Sequence, residues 1–561
     1  KGTPVDAKKI TAADLDRQIS HYAYPFHIFF QLRSPGSGGW TWIGMTGSHH
    51  GSSWLGTSWI MLTDVVGTSV LTFAGVAQQM GWVLTISFII GLAPVAVYTA
   101  ILMSRTGNLL SKRLEGARPA TMGEAARMTL GGDRAAGIVY AAVYGFAFLG
   151  NGSYILILGQ CMQGMFFQSH VCLPIATAVS CVLCIPIAVS VRRLSDSVLL
   201  CFVNLFLILA VLAVVMGKMY MDGRPAHVNT FAFAEDLSFL GVFGAASNVV
   251  YSYAGHWLYF ELMADMEKPE DFPRVFWINV PIQVCLYLLV ACWGYHFAGD
   301  KAKGYFLDNL PDGDAYRVAS ALLFVHVLIA VLVKNVVLVR ALHKIVAPSR
   351  VDVQLHESGG RRAQAEFAIC AVLLLWAYWA VANAVPFFSD FLQLVGGIFS
   401  GPISYVLPIV FLLGALRLEA ATSDSRSAVG NAESDIYATA PHKSSDRIHG
   451  DESDVEPGAR PSFSMQCRAT LGRLSRFDML ASAVITVFVL MSMVFGTSST
   501  IQDIGGRIRT YGRPFECQAR VPPMIMLELQ GNQGLPPNQG NISRHPRKAN
   551  QRHRHQASLT P

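Results

Sequence analysis

The stretch 57-TSWIMLTDVVGTSVLTFAGVAQQM-80 decides how the chain is read. About 20 mainly apolar residues suffice to cross a bilayer. Backbone in hydrocarbon must satisfy its own hydrogen bonds, so an unbroken helix is the default there. This stretch departs from the default. Gly67-Thr68-Ser69 interrupts the apolar run near its middle, and Asp64 stands three residues earlier. Further on, the apolar run at about 238–264 is interrupted in the same way by Ser252-Tyr253-Ala254-Gly255-His256. At such breaks the free N–H groups that open a half-helix carry about half an elementary charge and suit a carboxylate. The exposed carbonyls suit a cation. A single mid-span glycine has a plainer use, close helix packing. Two breaks in matching positions of two halves point instead to a binding site.

Working outward, the 561 residues are 52% hydrophobic and only 14% charged, against about 25% charged in soluble domains. The pattern predicts an all-α, polytopic membrane protein with about eleven spans. They fall at about 57–80, 82–103, 136–161, 172–191, 197–217, 238–264, 275–298, 316–340, 366–385, 391–416 and 478–497. Spans 1–5 (about 57–217) and 6–10 (about 238–416) form two sets of five, and an odd number per set inverts the second relative to the first. The expected organisation is a cytoplasmic segment 1–56, a ten-helix core 57–416, a flexible cytoplasmic loop 417–476, an eleventh helix within 477–500 and a disordered tail 501–561. Arg105, Lys112, Arg113, Arg118, Arg127 and Arg134 collect in one loop, and Arg340, Lys344, Arg350, Arg361 and Arg362 in another. By the positive-inside rule those loops, and hence the N-terminus, are cytoplasmic. The tail then lies on the opposite side, although it too is basic. Net charge is +6, but the cations sit between apolar runs and form no stripe for a nucleic acid. Most of the ten cysteines lie inside apolar runs. Cys181-Val-Leu-Cys184 has no histidine partner and reads as buried small hydrophobes, so no metal is expected.

Three blocks carry a resemblance. Val66-Gly67-Thr68-Ser69-Val70-Leu71 is followed by Gln79-Met80-Gly81-Trp82; Tyr253-Ala254-Gly255-His256 is followed by Glu261 and by Pro269-Glu-Asp-Phe272-Pro273; and Val385-Pro386-Phe387-Phe388-Ser389-Asp390-Phe391 precedes Gly401-Pro402-Ile403-Ser404-Tyr405-Val406-Leu407-Pro408. In this order they resemble the amino acid/auxin permease family, a branch of the amino acid–polyamine–organocation superfamily. The resemblance implies a leucine-transporter-like fold of 5+5 inverted repeats plus one helix, a cytoplasmic N-terminus, and proton-coupled amino-acid transport. Asp64, where a small residue is usual, and Ala74, where proline is common, depart from the plant-type pattern.

The expected substrate site comprises Gly67, Thr68 and Ser69 for the carboxylate, Tyr253, Ala254 and Gly255 for the ammonium, and Asn151 from the facing wall. A charge at the bilayer centre costs about 2.5–3.5 kcal/mol on insertion scales and is usually functional or paired. Asp64 is therefore expected to carry the coupling ion, with Lys334 as a fixed cation between spans 1 and 8. The stretch Val327–Val339 holds no Ser or Thr, where sodium-coupled members of the fold supply hydroxyls, so H+ is preferred to Na+. His256 and Glu261 are expected to gate, Glu261 by pairing with Lys268 or Arg274. No His-Glu-x-x-His or Gly-x-Ser-x-Gly motif occurs in a span, and no catalytic activity or organic cofactor is expected. The reading is secondary amino-acid symport in the plasma membrane, or alternatively in a vacuolar or lysosomal one. The alternatives are an efflux carrier for amino acids or auxin-like acids, and a non-transporting sensor. The partners are a small amino acid and the lipid bilayer.

Overall fold

A computed structural model describes residues 52–113, 118–190, 198–351, 358–420 and 474–517 apart from a few single positions, together with a short antiparallel ribbon, Gln31–Arg33 with Trp40–Trp42. Everything else is helix and connection. The helices are α1 Trp54–Val65, α2 Phe73–Arg113, α3 Met122–Ala126, α4 Asp133–Met165, α5 Leu173–Ser190, α6 Val198–Asp222, α7 Phe239–Ser252, α8 Tyr259–Asp265, α9 Phe276–Ala298, α10 Asp314–Val346, α11 Gly360–Ala384, α12 Phe388–Ala420, α13 Arg476–Met491 and α14 Thr497–Tyr511. Nine described helical stretches are long and apolar enough to cross a membrane. The first of these, Trp54–Arg113, is 60 residues long and contains a non-helical Gly81 with φ 79°. The expected sixth span, α7 with α8, is divided into pieces too short to be counted among the nine. The protein is thus an integral, multi-pass helical membrane protein.

Gly81 reverses the chain. The N–H groups of Trp82 and Val83 donate to the carbonyls of Phe231 and Ala232 at 3.1 and 3.0 Å instead of to their own helix. Residues before and after the reversal return to one face. Ser52 donates to the Asp265 carbonyl at 2.7 Å and accepts from Glu267 N–H at 3.0 Å, while Arg118 pairs with Glu270. The membrane protein therefore has a Ser52 face and a Gly81 face, and the basic residues of 105–134 crowd the former. Only glycine fits at 81. Besides its positive φ, a Cβ there would lie 2.8 Å from the backbone of 232–234.

Both expected breaks are present. α1 stops at Val65, and Val66 N–H still closes on Leu62 at 2.8 Å. The next backbone bond runs from Val70 N–H to Gly67 at 3.3 Å, and among the described residues no backbone carbonyl accepts from Gly67, Thr68 or Ser69. α7 stops at Ser252, and Tyr253–Gly255 turn into the short helical segment from His256. Small residues let the elements meet closely: a Cβ on Gly255 would lie 3.0 Å from Val65 Cγ2. Tyr287 of α9 ties the breaks together, its hydroxyl reaching the Val65 carbonyl at 3.2 Å and the Ser252 carbonyl at 2.8 Å.

One expectation fails at the C-terminal end. The chain is not disordered from residue 501. α13 continues through a π-turn, Ser492–Gly496, into α14, because α14 has polar and apolar faces and packs on α7 and the start of α12. The stretch Arg476–Arg509 has 34 residues, about 50 Å of helix against about 30 Å of hydrocarbon, so its polar end projects beyond the Gly81 face. Cys517 then bonds to Cys172, which precedes α5. Of the expected N-terminal segment 1–56, residues 1–30, 34–39 and 43–51 lie outside the described residues, as do 421–473 of the expected loop 417–476 and the tail after 517.

Candidate functional site

A small polar cavity sits where the two breaks face each other. Asp64, Gly67, Thr68 and Ser69 line it from the first break, Ser252, Ala254, Gly255 and Trp257 from the second, and Phe146, Tyr154, Tyr251 and Lys334 close the remaining wall. Lys334 is contributed by α10 and Tyr154 by α4, two helices packed along much of their length.

The charges of this cavity meet. Lys334 Nζ lies 3.9 Å from Asp64 Oδ1 and donates to the Tyr154 hydroxyl at 3.0 Å. The Trp257 indole N–H donates to the other Asp64 oxygen at 3.2 Å. The ammonium also stands 4.9 Å from the Tyr154 ring and 5.6 Å from the Trp257 ring, where the π faces attract it. A buried lysine with one loosely placed carboxylate and two aromatic faces is held but not saturated, since an ammonium has three donors. Beside this pair lie the peptide N–H groups of Gly67–Ser69 and the Thr68 hydroxyl, which is buried and has no hydrogen-bond partner among the described residues. An anion placed here would meet positive charge from two sources: the opening of a half-helix and an ammonium.

Of the residues expected from the sequence, Asp64, Gly67, Thr68, Ser69, Ala254, Gly255 and Lys334 come together on this cavity. Four do not. Tyr253 turns away, its hydroxyl donating to the Ile89 carbonyl at 2.9 Å. Asn151 is buried in α4 off the cavity lining, and the wall it was expected to furnish is provided by Tyr154 one turn later. His256 lies behind the break, with Nε2 2.9 Å from Thr99 Oγ1 and 3.1 Å from the Ala96 carbonyl. Glu261 takes no cation in an ion pair among the described residues; Arg274 pairs with Asp271 at 3.1 Å instead. Sequence reading missed Tyr154, Trp257 and Tyr287. The only sign of the first two was an aromatic ring placed one turn or one residue from a position already singled out.

The geometry defines a class: a multi-pass helical membrane protein whose buried polar cavity lies between two interrupted helices. Residues 50–427 match the family described as "Transmembrane amino acid transporter protein". The chain belongs to that family, and its business is amino-acid transport. It is 22% identical over 380 residues to the "N amino acid transport system protein" of Neurospora crassa, covering 66% of this chain and 78% of that protein. It is also 22% identical over 372 residues to "Amino acid transporter AVT1D" of Arabidopsis thaliana, covering 63% and 62%. Among solved structures, that of MhsT in complex with L-phenylalanine is similar at 12% identity with a TM-score of 0.44, over 80% of this chain and 100% of that one.

Proposed function

We propose that this protein is a secondary active carrier that couples amino-acid uptake to protons by alternating access, with the substrate bound between the two breaks. The substrate carboxylate takes the N–H groups of Gly67–Ser69, and its ammonium faces the carbonyls around Ala254–Gly255. Asp64 carries the coupling proton. Lys334 is the fixed cation that pairs with Asp64 while the site is empty. A proton arriving on Asp64 weakens that pair and frees the ammonium of Lys334 to attend to an incoming carboxylate. The observation that carries this reading is the Asp64–Lys334 contact beside unpaired peptide N–H groups in one cavity. The hydroxyl-free stretch Val327–Val339 of α10 supports protons over sodium.

In the proposed orientation the Ser52 face, rich in Arg and Lys, is cytoplasmic, the chain crosses eleven times, and the plasma membrane is its first candidate location. The test is uptake of labelled amino acids into proteoliposomes with an imposed pH gradient, screened across the common amino acids. Accumulation should follow the inward proton gradient and persist when choline replaces sodium. A strict sodium requirement would defeat proton coupling. Counterflow of label without any gradient would separate a carrier from a protein that only senses amino acids.

A further inference from the structure

A second polar layer lies between the cavity and the Gly81 face, and the carrier reading above does not use it. Gln79, ten residues beyond Ser69 toward that face, accepts from Gln393 Nε2 at 3.3 Å, and Thr500 of α14 donates to Gln393 Oε1 at 3.4 Å. Asn248 of α7 donates to Ser389 Oγ at 3.0 Å. Next to Ser389, Asp390 is 1% exposed and its single ion-pair partner among the described residues is Arg507 of α14, Nε to Oδ2 at 2.8 Å. The guanidinium also lies 5.7 Å from the Phe387 ring. A carboxylate buried this deeply needs a partner, and here the partner comes from the helix beyond the last span.

That helix is anchored at its far end. Cys517 is bonded to Cys172, where α4 has ended and α5 begins, and Phe515 packs on Trp379 of α11 at 5.6 Å. α14 itself rests on α7, the first half of the second broken helix. One segment therefore contacts the interrupted helix and is covalently held to the helices around it.

We propose that Arg507 and Asp390 form the gate of the transport path on the Gly81 face, with the Cys172–Cys517 disulfide holding α14 over that path so that Arg507 stays in register. Opening this face requires the ion pair to part. The proposal rests on the cavity at Ser69 being the substrate site, and the experiment keeps the two apart. Ser252→Cys, on the cavity wall but outside the groups assigned to substrate, is labelled by a membrane-impermeant thiol reagent applied to the face that bears Cys172, with the unsubstituted chain as control. Arg507→Gln and the double change Cys172→Ser with Cys517→Ser should each speed labelling about tenfold, the population shift expected when one contact favouring the closed state is lost. Asp390→Arg combined with Arg507→Asp should restore the slow rate. Excess amino acid should slow labelling in every variant. Loss of that protection with the rate differences retained would remove the site reading and leave the gate. Equal rates in all variants with protection retained would remove the gate. A specific protease site inserted at 443–447 checks the anchor: the two cleaved pieces should migrate together in denaturing gels until reduced. Pieces that separate without reductant would show that no bond joins Cys172 to Cys517, and would overturn the anchor.

Discussion

Asp64 and Lys334 illustrate how far single residues determine what the cavity can do. Each is an ionisable group where insertion is costly, and each is tolerable because the other is within 3.9 Å. Removing one partner of a buried pair costs about 3–5 kcal/mol because the other charge is left uncompensated; with Asp64 partly exposed the lower end applies. Asp64→Asn should therefore abolish proton-driven accumulation while leaving some exchange, measured as labelled uptake against unlabelled counterflow. Unchanged uphill uptake would remove Asp64 from coupling. Gly67 offers a graded test. A Cβ there would sit 3.6 Å from the Asp64 carbonyl and 3.9 Å from the Tyr154 hydroxyl, ordinary contact distances. Gly67→Ala should fold and retain binding with weakened affinity, whereas Gly67→Leu should fill the space the carboxylate needs and block uptake. Normal uptake by the leucine variant would contradict the site. Both charged residues were visible in the sequence as ions inside apolar runs. Their pairing was not, because periodicity places a residue on a helix face but says nothing of which distant helix that face meets. His256 misled for the same reason: a polar residue at a break can as well face the protein behind it, as its bond to Thr99 shows.

At the scale of elements, the breaks follow from local composition. Gly67 and Gly255 interrupt apolar runs, and the polar neighbours Thr68, Ser69 and Ser252 keep the freed peptide groups company. These breaks were legible because both signals are local. The bracing of one break by the other was not, since it depends on Tyr287 in a different helix. Tyr287→Phe removes a hydroxyl serving two carbonyls, and unsatisfied buried acceptors cost about 1–3 kcal/mol. The variant should unfold at lower temperature and transport more slowly, as read by thermal aggregation in detergent and by initial uptake rate; an unaltered melting profile would show that the bonds are not formed. Gly81→Ala is the harsher change, combining a left-handed φ with backbone 2.8 Å from the new carbon. Its expected outcome is loss of folded protein at the membrane, seen as loss of a monodisperse peak on gel filtration. A well-folded Ala variant would mean that the reversal at 81 is more forgiving than its surroundings imply.

The molecule as a whole is two sets of helices, each opening on an interrupted member, with a last helix that overruns the bilayer. The nine long apolar stretches were readable from hydropathy alone. The fate of the C-terminal segment was not: α14 is polar and glycine-containing, and only its seat on α7 and α12 makes it ordered. Cys172 opens the fourth apolar run and Cys517 lies beyond the last, so nothing in the sequence pointed to their bond. The disulfide places the end of α14 on the same face as the α4–α5 connection, opposite the arginine-rich loops. If that face is lumenal or extracellular, as the charge distribution proposes, the sequon Asn541-Ile-Ser543 should receive a glycan, detected as a mobility shift on glycosidase treatment and lost in Asn541→Gln. A modified Ser52 face would reverse the orientation.

Ser52 adds a mechanical corollary. By clasping residues 265–267 it fastens the entry to the first interrupted helix onto the exit from the second. On that side the two cannot swing separately; they form a single leaf with one latch. A helix pair so built gives way on the Ser52 face in one motion, and whatever tugs on the chain just ahead of Ser52 pulls on both sides of the cavity together.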